Sequence, residues 1–150
     1  VAFSDPLSYS GYTFVVYMLR QMKETPETFF RRYIYTYSHD KSMLAVANKV
    51  VDAAPVTRLV YDRAKERHPE VADAVRIIAV SPPAGTGPVV AGKSISAGQR
   101  EIVRKALLSM HEFANMRPAL QGLSIDRFVP AQAELYEPIR QMLREGRERL

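Results

Sequence analysis

Val1-Ala2-Phe3-Ser4-Asp5-Pro6-Leu7-Ser8-Tyr9-Ser10-Gly11 runs from an apolar segment through a turn to the start of a helix. Val1-Ala2-Phe3 is apolar and reads as the end of a strand. Asp5 to Gly11 is dense in turn formers. A helix is expected from near Ser10 to about Lys23. Val15, Met18, Leu19 and Met22 recur on one face of it, as a core-facing stripe would. In open α/β sheets, ligands bind beyond the C-terminal ends of strands, where helices begin. The first amides of a helix have no partner inside it and carry a partial positive charge, so they suit an anion. Ser8 and Ser10 add hydroxyl donors there, and Gly11 lets backbone approach closely. The plainer alternative is that Ser10 only caps the helix.

Along the rest of the chain helical and strand patterns alternate, which indicates an α/β fold. Tyr33 to Tyr37 is rich in aromatic and β-branched residues and reads as a strand. Tyr33, Tyr35 and Tyr37 share one face of it, and packing suits them better than base stacking because no basic residues interleave. Ser42 to Lys49 reads as a helix with Met43, Val46, Ala47 and Val50 on one side. Ala53 to Val56 reads as a short buried strand, placed at an edge or terminus by Pro55. Leu59 to Arg67 is helical. Val75 to Val80 reads as a strand buried on both faces. Ser81-Pro82-Pro83-Ala84-Gly85-Thr86-Gly87-Pro88 is the strongest punctuation and the expected crossing between lobes. Val89 to Ala91 is a brief strand. A helix from about Ala97 to Asn115 and a last helix through Leu135, Ile139, Met142 and Leu143 complete the pattern.

Two further residues are candidates on the same rim. His39 lies just past a strand end, and Thr57 follows the Ala53–Val56 segment. An imidazole can contact an oxyanion. The alternatives are a turn histidine and an ordinary helix cap, respectively. His39-Asp40 resembles the paired ligands of metal-dependent phosphohydrolases, but only His68 and His111 remain to complete such a site, and both lie in polar, helix-like surroundings. No metal or cofactor is implied. No nucleophile–base pair, P-loop or dinucleotide motif is present, so no enzyme is expected. The net charge is +5 and the pI about 9.6, yet the cations are scattered. The Arg140–Arg149 tail is interrupted by Glu145 and Glu148, as on a solvated helix face, and nucleic acid is not an expected partner. There is no cysteine, so disulfides and thiolate zinc sites are excluded. No apolar run approaches the roughly 18 residues of a membrane span. The chain opens on Val1 in strand-like sequence and reads as a mature fragment.

Asp5-Pro6-Leu7-Ser8-Tyr9-Ser10-Gly11 resembles the D-P-x-S-x-S-G segment of phosphate/phosphite/phosphonate-binding proteins of ABC transporters. Three further stretches resemble that family in order. They are Tyr37-Ser38-His39-Asp40-Lys41-Ser42 with Ala45-Val46-Ala47 and Val51-Asp52-Ala53-Ala54; Ser81-Pro82-Pro83 with Gly87-Pro88-Val89-Val90; and Ile125-Asp126-Arg127-Phe128-Val129-Pro130 with Tyr136, Ile139 and Arg140.

The resemblance implies the type 2 periplasmic-binding architecture, with residues 1–81 as an α/β ligand-binding lobe. Residues 82–88 become the hinge, and residues 89–150 the returning C-terminal part of the other lobe, whose N-terminal half would precede Val1. It implies an extracytoplasmic or periplasmic protein that holds a small tetrahedral oxyanion (phosphate, phosphite or a phosphonate) and docks on a membrane permease. The alternative is the sensing domain of a membrane signalling protein such as a histidine kinase. Ser8, Tyr9, Ser10 and His39 are the family's ligand residues by position. Tyr9 departs from the threonine common there, so its backbone N–H is the part expected to serve. Some members place an acid for a ligand amine where this chain has Thr57 and Arg58. An uncovered lobe–lobe surface implies dimerisation of the fragment.

Overall fold

A computed structural model describes residues 1–147. Strand β1, Ala2–Phe3, pairs in parallel with β2, Ile34–Tyr35, in the register Ala2 to Ile34 and Phe3 to Tyr35. The Ile34 amide donates to the Val1 carbonyl at 3.0 Å and the Thr36 amide to that of Phe3 at 2.9 Å. On the other flank of β1 the Ala2 amide donates to the Ala53 carbonyl at 3.0 Å. Ala53–Val56 therefore lies along β1 but forms no regular strand. Pro55 has no amide to extend a ladder, which is why the expected third strand stops at one bond. Those residues are also half-buried rather than buried.

Phe3 holds this sheet to its helix. It is wholly buried, and the rings of Tyr12, Phe30, Tyr33 and Tyr35 lie 5.0–6.0 Å from it, the first three edge-on. Burying a phenylalanine contributes roughly 1.5–3 kcal/mol, and well-placed ring pairs add about 0.5–1.5 kcal/mol each. Tyr35 also meets Tyr33 and Tyr37, so the tyrosines on alternate residues pack on one another as the sequence indicated. Burial, then the neighbouring Tyr12, pushes the Tyr35 phenol up to about 12.

A turn of π-helix, Tyr9–Thr13, runs directly into α1, Phe14–Gln21. The helical path thus begins at Tyr9, with Ser8 and not Ser10 as its cap. Of the predicted stripe on α1, Leu19 is buried and Met22 is 54 % exposed. Thr25 caps the short α2, Pro26–Phe29, in a reciprocal box with Thr28. α3, His39–Ala47, α4, Arg58–Arg67, and α5, Pro69–Asp73, share a second apolar cluster of Met43, Val60 and Ala72, with Val56, Tyr61 and Val75 against it. Ser42 is fully buried beside it, its hydroxyl 2.6 Å from that of Thr36.

The chain divides into two compact units. The first comprises Val1–Ala84 and the C-terminal helix α8, Glu137–Arg147, which packs on α1 through a hydrogen bond from the Tyr17 hydroxyl to Glu145 Oε2 at 3.0 Å. The second, Gly85–Tyr136, contains α6, Ala97–Ser109, and α7, Arg117–Gly122. The division after Ala84 falls within the proline-rich crossing. The last helix groups with the first unit, whereas the family resemblance puts it with residues 89–150. In the second unit the Gly85 amide donates to the Leu135 carbonyl at 2.8 Å, and the Tyr136 hydroxyl to that of Thr86 at 3.0 Å.

Two more expected strands are absent. Val75–Val80 has no ladder, and Ile77, Ile78 and Val80 are 53–74 % exposed, not buried on both faces. Val89–Ala91 is likewise irregular, with Val89 and Val90 exposed. The expected helix from Ala97 is present as α6, but it buries none of its residues: Val103 is exposed, as is Phe113 just beyond the helix.

Candidate functional site

The turn after β1 is built locally. Asp5 Oδ1 accepts from the Leu7 amide at 2.7 Å and the Asp5 carbonyl from the Ser8 amide at 3.0 Å, an Asx-type turn with Pro6 inside it. Ser8 then caps the helix: its Oγ accepts from the Gly11 amide at 3.0 Å. The amides of Tyr9 and Ser10 fall in the opening turn, where no intrahelical acceptor exists. The Gly11 amide is not such a donor, because Ser8 already takes it. Glycine is needed at position 11 for another reason. A β-carbon there would collide with Ser4, so the close approach is to Ser4 and not to a ligand. The Tyr9 hydroxyl is enclosed and has no hydrogen-bond partner among the described residues.

His39 is the first residue of α3. Ser38 is the cap, its Oγ accepting from the Lys41 amide at 3.3 Å, so His39 is not a capping residue. Its ring is half-buried, with Nδ1 turned inward: 2.9 Å from Ser4 Oγ and accepting from the Thr57 amide at 3.2 Å. Burial pushes the imidazole below its ordinary value, against opposing pulls from the Asp40 carboxylate and the Pro55 carbonyl. Thr57 precedes α4 but its hydroxyl makes no capping bond. Arg58, on the next residue, runs along α4 to Asp62, with Nε 2.9 Å from both carboxylate oxygens.

The structure thus brings Ser8, Gly11, His39 and Thr57 around one residue that sequence reasoning passed over, Ser4. It is 2 % exposed; its amide donates to the Gly11 carbonyl at 3.1 Å, and its hydroxyl lies 3.4 Å from the Pro55 carbonyl oxygen. The available signal was its place one residue beyond a strand, on the rim where parallel segments end. Ser8, Tyr9, Ser10, His39 and Thr57 are all half-buried. They form a rim and line neither of two concavities found elsewhere among the described residues. Both of those lie in the second unit; the larger, about 480 Å³, is lined by His111, Arg117 and Arg127 among others. Among the described residues, no group of three or more His, Asp or Glu side chains could hold a metal ion.

Residues 1–136 match the family described as "ABC transporter, phosphonate, periplasmic substrate-binding protein". The chain belongs to this family. Among curated proteins none matches it. As a phosphonate-binding family member the chain has the type 2 periplasmic-binding fold, of which the parallel pair β1–β2 and its helices are part. The family is one of transport binding proteins, not of enzymes, and it works outside the cytoplasm with a small ligand and membrane permease components. No helix among the described residues is long and apolar enough to cross a membrane.

Proposed function

We propose that this family member captures a small phosphorus oxyanion at the rim formed by the opening turn of the Tyr9–Gln21 helical path, His39 and Thr57. The observation that carries the reading is the convergence of three segments at one edge. β1 leads to Ser8, β2 to His39, and the Ala53–Val56 segment to Thr57; Ser4 meets Gly11, His39 and the Pro55 carbonyl, and the Thr57 amide meets His39. The Tyr9 and Ser10 amides and the Ser10 and Thr57 hydroxyls are the donors assigned to the anion, with the His39 ring beside them. Residues 1–81, with α8 packed on them, serve as the ligand-binding lobe, residues 82–88 as the crossing, and residues 89–136 as the return to the other lobe.

An anion without an amine suits this rim better than an aminoalkyl phosphonate. Thr57 is uncharged, and Arg58 is a cation already paired with Asp62. Neither offers a carboxylate to an ammonium group.

Calorimetric titration with phosphate, phosphite, methylphosphonate and 2-aminoethylphosphonate tests the reading. Saturable binding of at least one of the first three is expected. Ser10→Ala should weaken it by roughly 1–3 kcal/mol, the scale of a hydrogen bond to a charged acceptor. Unchanged affinity in Ser10→Ala and His39→Ala would remove the proposed rim.

A further inference from the structure

Ser4 contributes nothing to the solvent-facing rim, yet it is the residue to which the rim is tied. Its hydroxyl and the Thr57 amide both meet His39 Nδ1, at 2.9 and 3.2 Å. A backbone N–H can only donate. The nitrogen it meets must therefore offer a lone pair, and in a neutral imidazole the proton then sits on Nε2. With Nδ1 an acceptor, the Ser4 hydroxyl has two acceptors in reach, Nδ1 and the Pro55 carbonyl at 3.4 Å, and the nitrogen is the nearer.

We propose that Ser4 is a positioning residue for His39: with the Thr57 amide it holds the imidazole in its Nε2–H form, so that the ring offers the anion a fixed donor. The inference rests on the anion reading above. The ring's bonds to Ser4 and Thr57 both fall on Nδ1, which leaves the Nε2 proton as the donor assigned to the anion. In the other tautomer the ring would turn a lone pair toward the oxyanion and repel it.

The burial of Ser4 gives the device its rigidity. Ser4 cannot rotate away freely, because its amide is held by the Gly11 carbonyl and its β-carbon fills the space a side chain at position 11 would take. The same contact ties the His39 ring to the helix start at Ser8 and Gly11. Burial also favours the neutral ring, consistent with recognition by one fixed N–H and not by a cation.

The test uses the full protein with ¹⁵N-labelled histidine. In the anion-free spectrum His39 should show an unprotonated, hydrogen-bonded Nδ1 and a protonated Nε2. Ser4→Ala should move the Nδ1 resonance toward that of a free unprotonated nitrogen and weaken methylphosphonate or phosphate binding about three- to tenfold, less than the loss of a whole donor because Thr57 remains. In a His39→Ala background the same substitution should leave affinity unchanged, since Ser4 acts through the ring. A protonated Nδ1 in the wild-type spectrum overturns the inference even if the anions bind, and needs no variant to fold. Equal losses from Ser4→Ala with and without His39 also overturn it. An unprotonated Nδ1 with no anion bound supports the tautomer lock and removes the anion reading instead.

Discussion

A β-carbon built on Gly11 stands 2.6 Å from the Ser4 β-carbon and 2.9 Å from the Ser4 hydroxyl. Backbone at 11 and side chain at 4 occupy one space, and neither can grow. Gly11→Ala should cost about 1–3 kcal/mol through overpacking. Adding Ser4→Gly to it should recover part of that loss, and urea denaturation of the single and double variants measures both. Full stability in Gly11→Ala alone would contradict the contact.

Ser8 and Ser10 separate once the cap is known. Ser8→Ala removes the acceptor for the Gly11 amide and should lower stability by about 0.5–2 kcal/mol. Ser10 is assigned no such bond, so Ser10→Ala should leave the melting temperature near that of the wild type while weakening anion binding. A reversed pattern in thermal melts would place the cap at Ser10.

His39 makes stability pH-dependent in a known direction. Its folded value is held below the ordinary 6.5, chiefly by burial. The unfolded chain therefore binds this proton at a higher pH than the folded one. Between the two values the unfolded state carries more protons, and stability rises with pH. The contribution is complete above 6.5 and is lost as pH falls through 6.5 toward the folded value. Melting temperatures taken from about pH 8 down to about pH 5 should fall through that window, and His39→Gln should flatten the fall. An unchanged pH profile in His39→Gln would show that another group is responsible.

Three helices end on left-handed residues that are not glycine: Lys23, Lys49 and Ser124, with φ of 61°, 58° and 56°. Each sits in a Schellman closure. The Glu24 amide reaches back to Leu19, that of Val50 to Ala45 and that of Ile125 to Leu120. A side chain in this conformation costs about 1–2 kcal/mol, partly offset by the greater freedom of glycine in the unfolded chain. Lys23→Gly and Lys49→Gly should each stabilise the protein by about 0.5–1 kcal/mol, additively because the sites are separate. Lower denaturation midpoints in either would show that the lysine side chain carries a compensating contact.

Much of the first unit was legible because its signals are local. Asp5-Pro6 marks a turn whether or not anything packs on it, and Tyr33 to Tyr37 carries its period of two in the residues themselves. The shift of the cap from Ser10 to Ser8 was not legible, since both serines precede the same helix and only the Gly11 amide distinguishes them. Ser4 was hidden for a related reason: its partners at positions 39 and 55 are remote in sequence. Val75–Val80 misled in the opposite way. A continuous apolar run says that burial would be favourable, but not that a neighbour is there to provide it.

That last segment has a practical consequence. Arg76-Ile77-Ile78-Ala79-Val80 joins high β-propensity to a single charge and no internal proline, with Ile78 74 % exposed. Such a ribbon is a template for strand addition between molecules. Concentrated stocks of this polypeptide should seed thioflavin-positive fibrils with time. Ile78→Lys should delay them by placing a gatekeeper charge in the middle of the ribbon, without touching the serine–histidine rim.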